Sequence, residues 1–174
     1  KAQHMKSRGH DVINLGQGNP DLPTPEHIVK SLQSASEDPA NHKYSPFQGH
    51  AYLKGAVAEF YQREYSVTVD PEKEVAILFG AKTGLVELSQ CLLNPGDLAL
   101  LPDPGYPDYM SGIALAHAKT AFMPLIKEND FLPDLEAIPE GTARRAKFIY
   151  INYPNNPTGA VATKAFYEKL VAWA

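Results

Sequence analysis

Short β-favouring runs alternate with helix-like stretches along most of this chain, and no other feature limits its possible folds so strongly. Val75–Phe79, Leu98–Leu101, Thr120–Leu125 and Phe148–Ile151 read as strands. Lys82–Leu93, Pro107–Ala116, Asp134–Ile138 and the stretch from Thr163 onward read as helices, with Asn94-Pro95-Gly96-Asp97 as a turn. Alternation of this kind predicts an α/β fold: a mostly parallel sheet with helices on both faces. Upstream, Val12–Leu15 reads as a short extended segment entering a Gly16/Gly18 turn. Thr24 suits an N-cap and Pro25 a first helical position, predicting a helix over Pro25–Ser36 that Asp38-Pro39-Ala40-Asn41 breaks. A second helix is expected over His50–Tyr65, where Leu53, Val57, Phe60 and Tyr61 form one apolar stripe.

Composition narrows the function. Hydrophobic residues make up 44% and charged residues 21% of 174, a folded-domain composition rather than a disordered one. A net charge of −4 and a pI near 5.8 give no basic footprint for nucleic acid. No apolar run approaches the ~18 residues of a membrane span, and Lys1–Asp11 lacks the apolar core of a leader. The single cysteine, Cys91, cannot form an internal disulfide and reads as a buried helical thiol between Leu88 and Leu92, which points to a reducing, cytoplasmic compartment. The six histidines show no metal-ligand spacing, and no Gly-x-Ser-x-Gly or Walker-type segment is present. Reading ends at Ala174 inside a helix without a stop signal, so a piece of a longer protein is expected.

Three loops after strand carboxyl ends carry candidate chemistry, the place where open α/β sheets bind ligands. Asn152-Tyr153-Pro154-Asn155-Asn156-Pro157-Thr158-Gly159 follows Phe148–Ile151 and is either an Asn/Pro turn or a loop presenting two side-chain amides. Gly80-Ala81-Lys82 joins a strand to a helix. It is either a plain turn or an anion site made of helix N-terminal N–H groups and a lysine. Tyr106, between Gly105 and Pro107, is either a packing residue or a flat partner for a flat ligand.

These loops resemble those of the class I/II aminotransferases, the fold-type I enzymes dependent on pyridoxal phosphate (PLP). Asn152–Gly159 resembles the family's N-x-x-N-P-T-G segment and Leu15–Pro25 its opening G-x-P-D-F-P-T-P segment. Lys43-Tyr44 through Gly49 resembles its Y-x-x-x-x-G segment, Gly80-Ala81-Lys82 its phosphate loop, and Asp103–Tyr109 its P-x-Y-x-x-Y segment. Five segments in the family's order cover nearly the whole chain.

The resemblance implies an aminotransferase that moves an amino group between an amino acid and a 2-oxo acid, with PLP as electron sink. It implies cofactor binding by Gly80, Ala81, Lys82, Tyr106, Asn156 and Tyr44, and substrate binding by Gly18 and Asn156. The Ala81 and Lys82 backbone, with or without the Lys82 side chain, would hold the phosphate, and Tyr106 would stack on the pyridine ring. Tyr109 is expected in the core. Asn156, rather than Asn155, would donate to the ring's phenolate oxygen, because it immediately precedes Pro157-Thr158-Gly159. Gly18 N–H would meet the substrate carboxylate. Tyr44 would reach the PLP phosphate of a partner subunit, which makes a homodimer with a shared site part of the expectation. No catalytic residue falls in this chain: Lys82 lies on the wrong loop to be the Schiff-base lysine, which is expected beyond Ala174. By the same resemblance residues 1–43 belong to a small domain and 44–174 to a large cofactor domain. Leu78–Tyr109 looks most like enzymes acting on methionine-type, diaminopimelate-type or other aliphatic substrates. Two same-fold rivals are a carbon–sulfur lyase and an aminocyclopropanecarboxylate synthase-like enzyme. A rival of another class is the ligand-sensing domain of a transcription regulator.

Overall fold

The computed structural model describes residues 1–174 except 14–17 and 19. The chain forms two compact units, Lys1–Phe47 and Gln48–Ala174. In the first unit, helix α1 (Ala2–Ser7) is an element that the polar opening did not predict, and α2 (Glu26–Glu37) follows. Pro25, not Thr24, occupies the N-cap of α2, with φ −53° and ψ 138°. Asp38 then accepts from Ala40 N at 2.9 Å and starts a 3₁₀ turn over Pro39–Asn41. Part of the expected Val12–Leu15 segment and of the Gly16/Gly18 turn lies outside the described residues.

The second unit contains α3 (Ala51–Tyr65), α4 (Ala81–Leu92), β1 (Leu98–Asp103), α5 (Asp108–Leu115), β2 (Lys119–Pro124), α6 (Glu140–Ala143), β3 (Ala146–Ile149) and α7 (Lys164–Trp173). The strands make one parallel sheet in the order β2-β1-β3. β1 pairs with β2 from Leu98↔Lys119 to Asp103↔Pro124, and with β3 through a register shift between Leu98 and Ala99. As the central strand, β1 is the most apolar: Ala99, Leu100 and Leu101 are buried, and each fully buried leucine contributes about 1.5–3 kcal/mol. Ala99 and Leu101 join Leu93, Tyr109, Ile113 and Tyr150 in a core with α4 and α5. A second cluster, Leu135, Phe166 and Leu170, packs α7 with Ile149 and Ile151. Thr163 caps α7, its hydroxyl accepting from Phe166 N at 3.2 Å.

Four expectations are corrected here. Val75–Phe79 forms no strand: a strand exists through its ladder, and among the described residues β1, β2 and β3 pair only with one another. Asp134–Ile138 is a turn rather than a helix, because Asp134 Oδ1 accepts from Glu136 N at 3.0 Å and Ala137 N at 3.3 Å. Pro139 then prevents continuation, and the helix begins at Glu140. Cys91 is exposed, not buried. Of the stripe Leu53, Val57, Phe60 and Tyr61, only Val57 is half-buried and the other three are 40–43% exposed; the residue α3 buries is Lys54, paired with Glu72 at 3.0 Å.

Candidate cofactor site

α4 begins in a conformation that leaves its N-terminus open. Gly80 holds φ +87°, which glycine adopts without a Cβ penalty. No side chain caps the helix, and the first N–H groups of any helix lack an intrahelical acceptor. A Cβ built on Gly80 would meet nothing within 4 Å. Backbone donors, the positive end of the helix dipole and open space therefore coincide at Gly80-Ala81-Lys82. Thr83 Oγ1 donates back to Phe79 O at 3.1 Å and tightens the turn that leads in.

Lys82 and Tyr106 are brought together. The Lys82 ammonium stands 5.7 Å from the Tyr106 ring centroid and 2.8 Å from Asp108 Oδ2. Hydrogen bonding to Asp108, then to Tyr106, raises the Lys82 pKa. The same lysine, then Tyr106, holds the Asp108 carboxyl below its ordinary value. Tyr106 is half-buried and meets Tyr109 edge to face at 5.8 Å. Tyr109 is buried, as expected, and stacks on Tyr150 at 4.5 Å with a 14° interplanar angle. Burial is the main cause that raises the Tyr109 pKa. Tyr150 O–H donates to Leu85 O at 2.9 Å and lies 2.9 Å from Ser89 Oγ.

That bond locates the third loop. Tyr150 directly follows β3, and Leu85 lies one turn into α4, so the carboxyl end of β3 meets the N-terminal half of α4. β1 and β3 are parallel, so the loops carrying Tyr106 and Asn156 leave the sheet at the same edge. Within the 152–159 loop the two asparagines differ. Asn155 is buried; its Nδ2 donates to Thr158 Oγ1 at 2.8 Å, and its backbone exchanges bonds with Gly159 and Ala160. Asn156 is exposed, with its N–H held by Asn152 Oδ1 at 3.1 Å. One amide builds the loop and the other stands free of that task.

Two expected site residues lie in the first unit. Tyr44 is fully exposed. Gly18 is exposed and a Cβ there would meet nothing within 4 Å; its neighbours Gly16, Gln17 and Asn19 lie outside the described residues. Asp108, Asn152, Ser89 and Tyr150 were missed by the sequence reading. Asp108 carried a signal, a carboxylate two residues after a candidate ring; Tyr150 and Ser89 carried none, since their bond spans 61 positions. Among the described residues no group of three or more His, Cys, Asp or Glu could hold a metal.

Known proteins resemble this chain along nearly its whole length. The family model for aminotransferase class I and II matches residues 10–174. The chain belongs to that family. It is 61% identical, over all 174 residues, to the L-glutamine–4-(methylsulfanyl)-2-oxobutanoate aminotransferase of Bacillus subtilis (strain 168), covering 44% of that protein. It is 51% identical over 170 residues to the LL-diaminopimelate aminotransferase of Syntrophobacter fumaroxidans (strain DSM 10017 / MPOB), covering 98% of this chain and 44% of the other. The apo-BacF structure from Bacillus subtilis superposes with a TM-score of 0.92 at 57% identity, over 99% of this chain and 44% of that one. The chain thus spans less than half the length of these relatives. Its α/β fold with a parallel sheet is that of an aminotransferase, and no described helix is long and apolar enough to cross a membrane.

Proposed function

We propose that the whole protein is a PLP-dependent aminotransferase that exchanges an amino group between an amino acid and a 2-oxo acid. The observation that carries this reading is the open N-terminus of α4 beside Tyr106, in a chain 61% identical to a named aminotransferase. The residues suit the cofactor: a dianion fits free N–H groups at a helix N-terminus, and a flat ring fits a half-buried tyrosine. PLP, when bound, supplies the electron sink for the carbon that exchanges the amino group.

Around it, the Ala81 and Lys82 N–H groups bind the phosphate, and Gly80 leaves room for its approach. Tyr106 orients the ring by stacking. Asn156 donates its amide hydrogen to the phenolate oxygen, holding that atom as an anion. Gly18 N–H meets the substrate carboxylate, and Tyr44 reaches the phosphate of a partner subunit in a homodimer. We assign residues 1–43 to a small domain, 44–174 to the large cofactor domain, and the enzyme to the cytoplasm, where one cysteine is left reduced. For substrates we favour aliphatic and thioether 2-oxo acids, because the relative at 61% identity is named for 4-(methylsulfanyl)-2-oxobutanoate.

The test is to incubate the full-length protein and PLP with L-glutamine and a panel of 2-oxo acids, following the new amino acid and the cofactor's visible band. Stoichiometric amino transfer is expected. Release of a thiol, ammonia and a 2-oxo acid from a sulfur amino acid such as cystathionine, without an acceptor, would instead mark a carbon–sulfur lyase. Binding without turnover would mark a sensor.

A further inference from the structure

We propose that Asp108 is a positioning residue that draws the Lys82 ammonium toward α5, so that backbone N–H groups alone bind the anion at α4. The inference rests on the phosphate site proposed above and concerns which atoms of that site carry its charge.

Lys82 occupies the first turn of α4, where its positive charge faces the like-signed end of the helix dipole. A bound anion could relieve that repulsion, and so could a carboxylate from the protein. Asp108 is that carboxylate, 2.8 Å from Lys82 Nζ. It stands in the first turn of α5, where a negative charge is itself stabilised. The lysine side chain is 66% exposed and the aspartate 26% exposed, so the more fixed partner sets the position of the more mobile one. The two helices are also held at one spacing. Gly112 of α5 lies so close to α4 that an added Cβ would fall 2.8 Å from Val86 Cα and O. The carboxylate is therefore delivered by a rigid helix pair. Both charges shift the other's titration toward the paired state, with Tyr106 as second contributor to each. Locally the pair is neutral, and the attraction left for a phosphate comes from the helix N-terminus.

The experiment measures equilibrium binding of PLP to the full-length apoprotein at about 20 mM and about 200 mM salt, across which screening of one exposed charge is easily seen. Asp108→Asn frees one positive charge beside the anion. Its affinity at low salt is expected to rise several-fold over the wild type, with the gain lost at high salt and abolished in Asp108→Asn/Lys82→Met. Three results would overturn the role of Asp108: a tenfold loss in Asp108→Asn, meaning the carboxylate aims Lys82 at the phosphate; identical binding at both salts; or a gain that survives Lys82→Met. The underlying site is tested separately by Ala81→Pro, which removes one N–H at a helical position where proline is tolerated. A loss of about tenfold or more with helix content kept is expected. Pyridoxal, which lacks the phosphate, gives the same control without a mutation. If Ala81→Pro binds like wild type, or pyridoxal binds as well as PLP, the phosphate site itself falls, and this inference with it.

Discussion

Asn155 and Asn156 are adjacent and chemically identical, yet the fold gives them opposite tasks. Asn155 is buried and bonded to Thr158, so Asn155→Ala should lose about 1–3 kcal/mol of stability in urea unfolding, as Thr158 Oγ1 loses the shorter of its two donors and keeps only Ala160 N. Asn156 is exposed, so Asn156→Ala should stay within about 0.5 kcal/mol of wild type in the same measurement. It should instead slow transamination by roughly 1–3 kcal/mol and raise the pH midpoint of the cofactor's visible band. The reverse ranking would mean that the other asparagine faces the cofactor. Tyr153 offers a pH test in the same loop. Its hydroxyl donates to Phe131 O at 2.8 Å, and burial, then Tyr167, pushes its pKa from 10 up to about 12. The folded state holds this proton where the unfolded state has lost it, so stability is fully present below pH 10 and falls as pH rises from 10 toward about 12. Tyr153→Phe should lose about 0.5–1.5 kcal/mol at neutral pH and flatten that decline. An unchanged alkaline profile in the variant would remove Tyr153 as its source.

At the scale of elements, the site depends on how α4 meets α5 and β3. Gly112 lets α5 approach α4, and Tyr150 bonds α4 from the end of β3 while stacking on Tyr109 of α5. Gly112→Ala would press a methyl group against Val86 and Ser89. Overpacking of that kind costs about 1–3 kcal/mol. The helices must separate to admit the methyl group, so PLP affinity should fall together with the thermal midpoint. A variant of wild-type stability and affinity would show that the helices shift without disturbing the site. Much of this level was legible from sequence. α4, β1, α5, β2, β3 and α7 all formed within two residues of their expected bounds, because period and turn chemistry act locally. Val75–Phe79 and Asp134–Ile138 were misread for opposite reasons. The first has strand-like residues but no ladder, which is a non-local property. The second has helical composition, but Asp134 bonds the backbone into a turn first.

For the whole molecule, the proposed shared site makes assembly testable. Tyr44→Phe removes one hydroxyl from a fully exposed side chain, so it should leave folding intact and weaken PLP retention roughly ten- to a hundredfold, the range for a bond to a dianion. Heterodimers pairing a Tyr44→Phe subunit with one whose cofactor-linking lysine is replaced should recover one wild-type site. No recovery in purified heterodimers would return Tyr44 to an ordinary turn residue. The amino-acid sequence by itself determined the α/β class, the family, and the three candidate loops, two of which follow strands, because short motifs and periodic patterns are local and keep their order along the chain. Only the tertiary structure decided that Asp108 holds Lys82, that Tyr150 ties β3 to α4, that Asn155 builds the loop from which Asn156 projects, and that Cys91 and three of the four α3 stripe residues are exposed. Each of those facts depends on which distant residue comes within a few ångströms, and amphipathic patterning states what can be buried without stating what will cover it.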